Sequence, residues 1–487
     1  MKLHQIALAV ATLAAAGQAA ALDQAAIAAA RAGGTLKEVW VSGASAVTRN
    51  AFEAFKADCT DPVHIYTNDA AGTVPGSAGD FMAYACTTNT LGPTVAYHTV
   101  AGGSFNAFAP HVVGAQLERV KQADIASCAA PVVGGTGDTV YRSCTKVNPV
   151  VTADLAPDLP DGGFSDVDSP LFQDLFTTAP ASVGTEASAN VFQVFGVAVS
   201  TNLYRAMQQV QGKNSATCTD DTYVTATKTY TQNGLHDFRD PACMPSITKA
   251  QYTSIAALGG GYQSNWEPLL GVGYVDGNGT AAASAVNLCR RVPTSGTQAS
   301  SNAYFLRSPC NRGTAGGELL PASTVDSTAA SATAASGIWI TESSGTSDVK
   351  KCLNKANDNA TRYFAIGVVS AENNPFGETL TDRDDYRFVM LDGVSPENVG
   401  DDRARQNAID SKYGFAMELS AFTANSASVD GAAMLATMTA GMGTVGGADL
   451  RGLYISPAGG ADHNANPNIV GKGTRFGNNC QSINMFF

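Results

Sequence analysis

The chain has 487 residues, of which 44% are hydrophobic and 15% are charged, and its formal net charge is −12. A surplus of acidic residues repels nucleic-acid phosphates and anionic lipids, so it argues against nucleic acid or an anionic membrane as a partner. Any site for an anion must therefore be local and built from a few donors. The length predicts two to three domains with ample core.

The N-terminus has the pattern of a secretory signal peptide. Lys2 precedes an apolar stretch over residues 6–15, and the small residues Ala19 and Ala21 suit a leader peptidase. We therefore expect residues 1–21 to be removed and the mature chain to be soluble, in the periplasm or outside the cell. No cysteine follows the cut to accept a lipid, and no later stretch offers about 18 consecutive apolar residues for a membrane span.

Ten cysteines follow this segment. An even count in an exported chain predicts disulfides, and the chain has no CxxC motif or Cys/His spacing typical of zinc. We expect no metal and no cofactor. Spacing alone does not determine the connectivity. Pairing of sequence neighbours predicts Cys59–Cys86, Cys128–Cys144, Cys218–Cys243 and Cys289–Cys310, and leaves Cys352 and Cys480.

The first predicted elements are a buried strand at residues 39–41 and a helix at residues 51–55, with a small-residue turn at 42–46 between them. A strand, a turn and a helix form half of a βαβ unit. Further buried strands, several of them followed by helical patterns, are predicted at Val95–Val100, Val191–Val199, Ala285–Val292 and Phe364–Val369. This alternation predicts an α/β fold with parallel sheets.

Other segments predict turns and insertions. Asp276–Gly279 is typical of a hairpin turn. Residues 60–92 and 128–163 have a loop-like composition and contain cysteines, so we interpret them as insertions on a regular scaffold. Residues 312–347 are rich in Ala, Ser, Thr and Gly, which predicts a surface loop, with a short strand at Ile338–Ile340 inside it.

The strongest motif runs from Arg291 to Thr297, where a predicted strand leads through Ser295 and Gly296 into a helix. The free N–H groups and the positive dipole end of that helix would face an anion. The hydroxyl groups of Ser295 and Thr297 can donate hydrogen bonds, and Gly296 lets the backbone approach closely. Arg291 can make a two-pronged contact to oxyanion oxygens. Taken alone, Ser-Gly-Thr before a helix is more often only an N-cap.

The Arg-x-x-x-Ser-Gly-Thr motif resembles the anion-binding motif of the phosphate-binding proteins of bacterial ABC transporters. Other segments resemble the same family in the same chain order, and together the matched pieces span about residues 38 to 395. They are Ser42–Ala46 and Tyr97–Ser104 (two phosphate loops), Phe164–Leu171 (an Asp-Ala-Pro segment), Ile247–Tyr252 with Asn265–Trp266, Gly345–Val349, Ala365–Val368 and Val389–Val394.

This resemblance implies a type 2 periplasmic-binding-protein fold, with two α/β domains, a hinge of two crossings and a central ligand cleft. Residues 22–200 plus 370–487 would form the first domain, and residues 201–369 the second. The implied function is capture of a small oxyanion, phosphate in the first place, for uptake or sensing. A transporter permease is a candidate partner, and no enzyme activity is implied.

The resemblance also implies a set of ligand contacts. They are Ala44, Ser45, Ala46, Val47, Gly103, Ser104 and Asp168 from the first domain, and Arg291, Ser295, Gly296 and Thr297 from the second. Asp168 would accept a proton from a protonated oxyanion and so exclude sulfate.

Two positions depart from the family pattern. Val47 stands where the family has a ligand-binding threonine, so Ser45 or Thr48 would have to compensate. The usual serine of the second loop falls on Gly103 or, one step later, on Ser104. Each missing hydrogen bond to a charged group would cost about 1.5–3 kcal/mol.

Two alternatives stay open. The same fold with an altered site could act as an extracellular binding or adhesion protein, which the long insertions and the changed first-domain loops favour. A hydrolase is the other, because His98 lies near the predicted site and could activate Ser45 as a nucleophile. However, residues 43–47 lack the second glycine of a Gly-x-Ser-x-Gly elbow.

Overall fold

The computed structural model describes residues 22–71, 79–122, 128–133, 138–152, 154, 157–215, 218, 222–224, 229–231, 240–258, 265–310, 318–319, 337–358, 362–375, 384–398 and 403–487. The predicted signal segment 1–21 lies outside these residues, as does most of the predicted surface loop between residues 312 and 336.

The strands are β1 (Lys37–Gly43), β2 (His64–Thr67), β3 (Phe81–Thr88), β4 (Gly92–Thr99), β5 (Arg119–Val120), β6 (Ala129–Val133), β7 (Thr139–Arg142), β8 (Lys146–Val147), β9 (Gly162–Ser165), β10 (Gly184–Ser200), β11 (Thr222–Val224), β12 (Thr229–Thr231), β13 (Ser246–Ile247), β14 (Ala257–Leu258), β15 (Val286–Arg291), β16 (Glu318–Leu319), β17 (Ile338–Ser343), β18 (Ala365–Ser370), β19 (Tyr386–Phe388), β20 (Met390–Leu391), β21 (Ala416–Ala424), β22 (Leu453–Ile455), β23 (Gly473–Thr474) and β24 (Asn484–Met485).

The α-helices are α1 (Gln24–Ala32), α2 (Thr48–Ala57), α3 (Ala109–Val112), α4 (Pro180–Val183), α5 (Thr201–Val210), α6 (Lys249–Ala256), α7 (Glu267–Leu270), α8 (Gly296–Ser301), α9 (Thr346–Lys355), α10 (Gln406–Ile409) and α11 (Val429–Met442). Short 3₁₀ helices cover Ser104–Ala107, Ser169–Leu175 and Pro457–Gly459, and a π-helix covers Asn302–Leu306.

The predicted first strand and helix are both present. Val39, Trp40 and Val41 in β1 are fully buried, as expected for a strand covered on both faces. Helix α2 turns Ala51 and Phe55 into the core, since residues four apart lie on one face of a helix. The predicted half βαβ unit is therefore confirmed.

Within the described residues, fourteen strands form one mixed sheet. Strand β1 lies between β4 and β9 and is parallel to both, and β15 is parallel to its neighbours β17 and β18. The fold is therefore α/β with a large central sheet, as the alternating pattern predicted. Antiparallel pairing enters at β3, β10 and β21.

Strand β10 connects two parts of this sheet. Its first part pairs with β21, and its last part, from Phe195 to Ser200, pairs with β18 and β19. The register shifts between Ser188 and Phe192, where Asn190 has a positive φ of 55°. We call the part that contains β21, β9, β1 and β4 the first half of the sheet, and the part that contains β18, β15 and β17 the second half.

The two segments interpreted as insertions instead extend the first half of the sheet. Residues 60–92 contain β2 and β3, and β3 pairs antiparallel with β4. Residues 128–163 contain β6 and β7, with β7 parallel to β2. The loop-like interpretation was wrong, because all four residues of His64–Thr67 are buried in a strand although His64 and Thr67 are polar.

The predicted turn at Asp276–Gly279 is confirmed. The N–H of Gly279 donates to the carbonyl of Asp276 (N···O 3.0 Å), and Val275 and Ala281 form an antiparallel bridge around it. The strand predicted at Ile338–Ile340 is also present, as β17.

Five disulfides close the chain. The predicted pairs Cys59–Cys86, Cys128–Cys144 and Cys218–Cys243 are confirmed. The predicted pair Cys289–Cys310 is wrong, because Cys289 bonds to Cys352 and Cys310 to Cys480. Helix α9 packs on β15 and brings Cys352 against Cys289 in one buried cluster, a contact that sequence distance does not reveal.

Among the described helices, none is long and apolar enough to cross a membrane.

Candidate functional site

The candidate site lies where the ends of several strands meet. Strands β1, β4 and β9 are parallel neighbours, so their carboxyl ends share one edge of the first half of the sheet. Strand β15 ends at Arg291 and leads to α8. In α/β sheets, ligands bind in the crevice outside the carboxyl ends of parallel strands. The loops after β4, β9 and β15 are therefore the expected location of a ligand site.

The loops after β4 and β15 touch directly. The N–H of Phe105 donates to the carbonyl of Thr294 (N···O 2.9 Å). Gly103 has a φ of +83°, and a Cβ on it would lie 3.0 Å from the Cα of Ser295. Only glycine combines this backbone conformation with such a close approach. The structure therefore brings Gly103 and Ser104 from the first half next to Ser295 from the second.

The loop after β9 joins this contact through Asp166. A Cβ on Gly296 would lie 2.6 Å from the Cβ of Asp166 and would overlap the hydroxyl oxygen of Ser104. The N–H of Asp166 donates to that hydroxyl oxygen (N···O 3.3 Å). Ser104, Asp166 and Gly296 thus form one compact group, which no side chain at position 296 could enter without displacing its neighbours.

Asp166 is a buried carboxyl group with unused hydrogen-bonding capacity. It is 3% exposed, and its Oδ1 has no hydrogen-bond partner among the described residues. Burial raises the pKa of Asp166 to about 6, while a hydrogen bond from Ser104 and the charge of Arg291 oppose that rise. Its carboxyl group can therefore hold or release a proton near neutral pH.

Arg291 lies at the carboxyl end of β15 and is also 3% exposed. Its guanidinium donates to the hydroxyl of Thr346 (2.8 Å) and to the carbonyl of Ser344 (2.7 Å). Its Nε has no partner among the described residues. Burial lowers the pKa of Arg291, but guanidinium stays charged at any physiological pH. The structure thus holds a fixed cation whose Nε–H has no acceptor among the described residues.

Ser295 and Thr297 lie at the start of α8 and are 1% and 3% exposed. Ser295 is the N-cap residue, yet its side chain makes no capping bond to the helix. The first N–H groups of a helix have no partner inside it. The N-cap explanation of the Ser-Gly-Thr motif therefore does not account for the Ser295 hydroxyl.

The first loop contributes less than expected. The N–H of Ala44 already donates to the carbonyl of Phe164 in β9 (N···O 2.8 Å). Val47 is fully buried in a hydrophobic cluster, and Ala46 is 4% exposed. The Ala44 N–H and the Val47 side chain are thus occupied by the fold.

Ser45 and Thr48 line a polar cavity of about 760 Å³ together with Arg291. The hydroxyl of Thr48 donates to the carbonyl of Ser45 (2.7 Å), which holds the loop against the first turn of α2. We call this space the Arg291 cavity. Of the residues predicted for the first loop, Ser45 is the one that lines it.

Asp168 lies apart from this group. Its Oδ1 accepts a hydrogen bond from the N–H of Asn479 (3.1 Å), and it lines a different cavity of about 690 Å³ with Glu186 and the Cys310–Cys480 bond. The prediction chose the aspartate before Ser169-Pro170. The structure instead places Asp166 beside Ser104 and Gly296, because Asp166 is the first residue after β9.

Sequence reasoning also missed Glu372, which lines the Arg291 cavity two residues after the end of β18. Its Oε1 accepts a hydrogen bond from the hydroxyl of Ser370 (3.2 Å). Burial, with a further contribution from Asp166, raises the pKa of Glu372 to about 8. A polar residue just after a parallel strand was the available signal for both Asp166 and Glu372.

His98 is a core residue. Its ring is fully buried on β4 and shares a hydrogen bond with the hydroxyl of Tyr84 (3.1 Å to Nδ1). Burial lowers the pKa of His98 to about 4. The described residues that line the Arg291 cavity include Ser45 but not His98, so the structure offers no support for a pair between these two side chains.

Comparison with known proteins gives distant structural likenesses. No family model and no curated protein matches the chain. A solved candidate substrate-binding protein of a phosphate ABC transporter, from Clostridium perfringens with bound phosphate, is similar at 14% identity and a TM-score of 0.38, covering 85% of this chain and 96% of that one. A candidate phosphate-binding protein from Planctomyces limnophilus is similar at 10% identity and a TM-score of 0.28, covering 80% and 81%. Both likenesses are too weak to carry a function, which must come from the site itself.

Proposed function

We propose that this protein is an exported solute-binding protein that holds a small oxyanion, phosphate in the first place, between the two halves of its sheet. Arg291, Ser104, Asp166 and the start of α8 would form the contacts. The role would be capture for uptake or sensing, with a transporter permease as a candidate partner and no covalent chemistry.

The observation that carries this proposal is the pairing of two unused groups. Arg291 offers an N–H donor at Nε, and Asp166 offers an acceptor at Oδ1, and both are nearly fully buried. Buried polar groups without partners are costly, so such positions call for a ligand or for water. A ligand that both accepts from guanidinium and donates to carboxylate satisfies the two together.

Hydrogen phosphate has this combination. Its unprotonated oxygens accept from Arg291 and from helix N–H groups, and its P–OH donates to Asp166. Sulfate is fully deprotonated and would meet the carboxylate as a like charge. The group around Asp166 would therefore select a protonated oxyanion, in the role first predicted for Asp168.

The proposal includes the domain division predicted from the sequence. Residues 22–200 with 370–487 would form one domain and residues 201–369 the other, with β10 as one of two crossings. The contact between Phe105 and Thr294 would then belong to a closed form, which ligand stabilises relative to an open one. Five disulfides support export to an oxidising compartment.

The test is thermal unfolding of phosphate-free protein with added phosphate, arsenate or sulfate. Phosphate and arsenate should raise the midpoint, because a ligand that binds only the folded state stabilises it by mass action, and sulfate should not. Arg291→Ala should abolish the rise. Arg290→Ala is the matched control, since Arg290 is the adjacent residue on β15 and pairs with Glu342 (2.8 Å).

The control should retain the phosphate-dependent rise even if its midpoint without ligand falls. A wild-type protein whose midpoint does not move at millimolar phosphate would contradict the proposal. It would leave the binding or adhesion alternative, in which the fold is kept without the anion site.

A further inference from the structure

The Arg291 cavity is much larger than a phosphate ion requires. Its volume of about 760 Å³ falls within the range of about 300–1,000 Å³ for sites that enclose a small organic ligand. Apart from Val100, Ala70 and glycines, its described lining is polar. An inorganic ion at Arg291 would leave most of this polar space to water.

The lining is also acidic. Four of its described residues carry carboxyl groups, Asp69, Asp80, Asp348 and Glu372, whereas two carry cations, Arg291 and Lys350. Asp80, Asp348 and Glu372 are close enough to Arg291 to act on its pKa. The cavity therefore faces the proposed anion site with an excess of carboxyl groups.

Neighbouring ion pairs account for some of these charges. Lys350 pairs with Asp384 (2.8 Å), and Asp348 pairs with Lys351 (3.0 Å). The charges of Lys350 and of the exposed Arg49 also lower the pKa of Glu372, against the effect of burial. Asp80 makes no ion pair with a described residue, although its charge acts on the pKa of Arg291 from a longer distance. Asp80 and Glu372 are thus the carboxyl groups best placed to meet a second part of a ligand. Because its pKa is about 8, Glu372 holds a proton at neutral pH without a ligand, and a bound cation would favour release of that proton.

A second observation indicates that a ligand enters here. The Nε of Arg291 is buried and without a partner among the described residues, and Arg291 itself lines the cavity. An anionic group that binds this N–H would bring negative charge into a cavity that already has more carboxyl groups than cations. Such a ligand binds more tightly if its remaining part is cationic, because opposite charges at short range in a partly buried site attract strongly.

We infer that the ligand is a zwitterionic phosphoryl compound, a phosphate monoester or phosphonate whose organic part carries an ammonium group. This inference rests on the proposed function and deepens it. The phosphoryl group occupies the site at Arg291 and Asp166, and the ammonium group lies in the Arg291 cavity against Asp80 and Glu372. Inorganic phosphate then binds as the head group alone.

The test compares three ligands by isothermal titration calorimetry on the disulfide-bonded, phosphate-free protein. Phosphoethanolamine and ethyl phosphate share the phosphate ester and differ in the ammonium group, and inorganic phosphate reports the head group alone. Phosphoethanolamine should bind at least about tenfold more tightly than ethyl phosphate. The double variant Asp80→Asn with Glu372→Gln should lose this difference while still binding ethyl phosphate.

Asp430→Asn is the control variant, because Asp430 pairs with Lys37 and does not line the cavity. It should keep the preference for phosphoethanolamine. If inorganic phosphate binds but phosphoethanolamine binds no better than ethyl phosphate, the inference is overturned and the proposed function stands. If none of the three ligands binds, the proposed function itself fails, and this inference with it.

Discussion

The Cys310–Cys480 disulfide joins segments 170 residues apart that belong to different halves of the sheet. Cys310 follows the π-helix that extends α8. On the other side of the bond, the Asn479 side chain donates to the carbonyl of Glu418 in β21 (2.9 Å). The bond therefore restrains any opening between the two halves, because it keeps these two segments together.

Removal of this tether should loosen the protein and speed ligand release. In a Cys310→Ser, Cys480→Ser double variant we expect faster phosphate dissociation in stopped-flow measurements and a larger radius of gyration without ligand in small-angle scattering. The free energy of unfolding should fall by up to about 5 kcal/mol, from the entropy of the long loop that the bond closes.

Cys59→Ser with Cys86→Ser is the control for the tether, because this bond closes a loop within the first half, between residues 27 apart. It should cost about 3–4 kcal/mol of stability and leave the dissociation rate unchanged. Equal dissociation rates in wild type and the Cys310/Cys480 variant would contradict a restraint on opening.

Gly296 should be sensitive to the smallest substitution. Gly296→Ala places a Cβ 2.6 Å from the Cβ of Asp166, so Asp166 or α8 must shift. Overpacking of this kind costs about 1–3 kcal/mol, and displacement of Asp166 should weaken phosphate binding by about tenfold or more. Denaturant unfolding and calorimetry measure the two effects. Gly277→Ala, where a Cβ meets nothing within 4 Å, should change stability by no more than about 0.5 kcal/mol and leave affinity unchanged.

Selectivity should depend on Asp166 and not on Asp168. Asp166→Asn removes the charge that opposes sulfate, so the affinity ratio of phosphate to sulfate should fall by about tenfold or more. Asp168→Asn should keep the ratio, because Asp168 lines the other cavity and bonds to Asn479. Competition titrations of both anions measure the ratio. The opposite pattern would restore the assignment first made from the sequence.

Asp166 should also make stability depend on pH. Its pKa is about 6 in the folded protein and 3.8 ordinarily, so between these values the folded state keeps a proton that the unfolded state has lost. The contribution of Asp166 to the free energy of unfolding is therefore fully present below about pH 4. It is lost as the pH rises to about 6, by about 3 kcal/mol in total.

Urea unfolding without ligand measures this loss, as the difference between wild type and Asp166→Asn from about pH 4 to about pH 7. The variant should lose about 3 kcal/mol less over that window than wild type does. Asp168 also has a raised pKa and remains in both proteins, so its contribution cancels in the difference. Asp166 helps to raise the pKa of Glu372, so the variant also lowers that pKa, which changes the difference in the same direction. Identical pH profiles would show that Asp166 does not titrate in this range.

Local patterns predicted most of the scaffold. The strands at Val95–Val100 and Ala285–Val292 appear as β4 and β15, because the apolar residues in both stretches pack into the core. The sequence also indicated that Val47 has no side-chain donor for a ligand, and in the structure this side chain packs into the core. The β2 strand, by contrast, was missed because buried His64 and Thr67 hide its character.

The sequence by itself determined the α/β class and the place of Arg291 at the end of a buried strand, and pairing of neighbouring cysteines predicted three of the five disulfides correctly. Each follows from the order and spacing of residues close together in the chain. Only the tertiary structure decided that Asp166 and not Asp168 meets Gly296, that Cys289 bonds to Cys352, and that acidic residues surround Arg291. These contacts join segments far apart in the chain, and their geometry depends on how strands and helices pack, which residue order does not express.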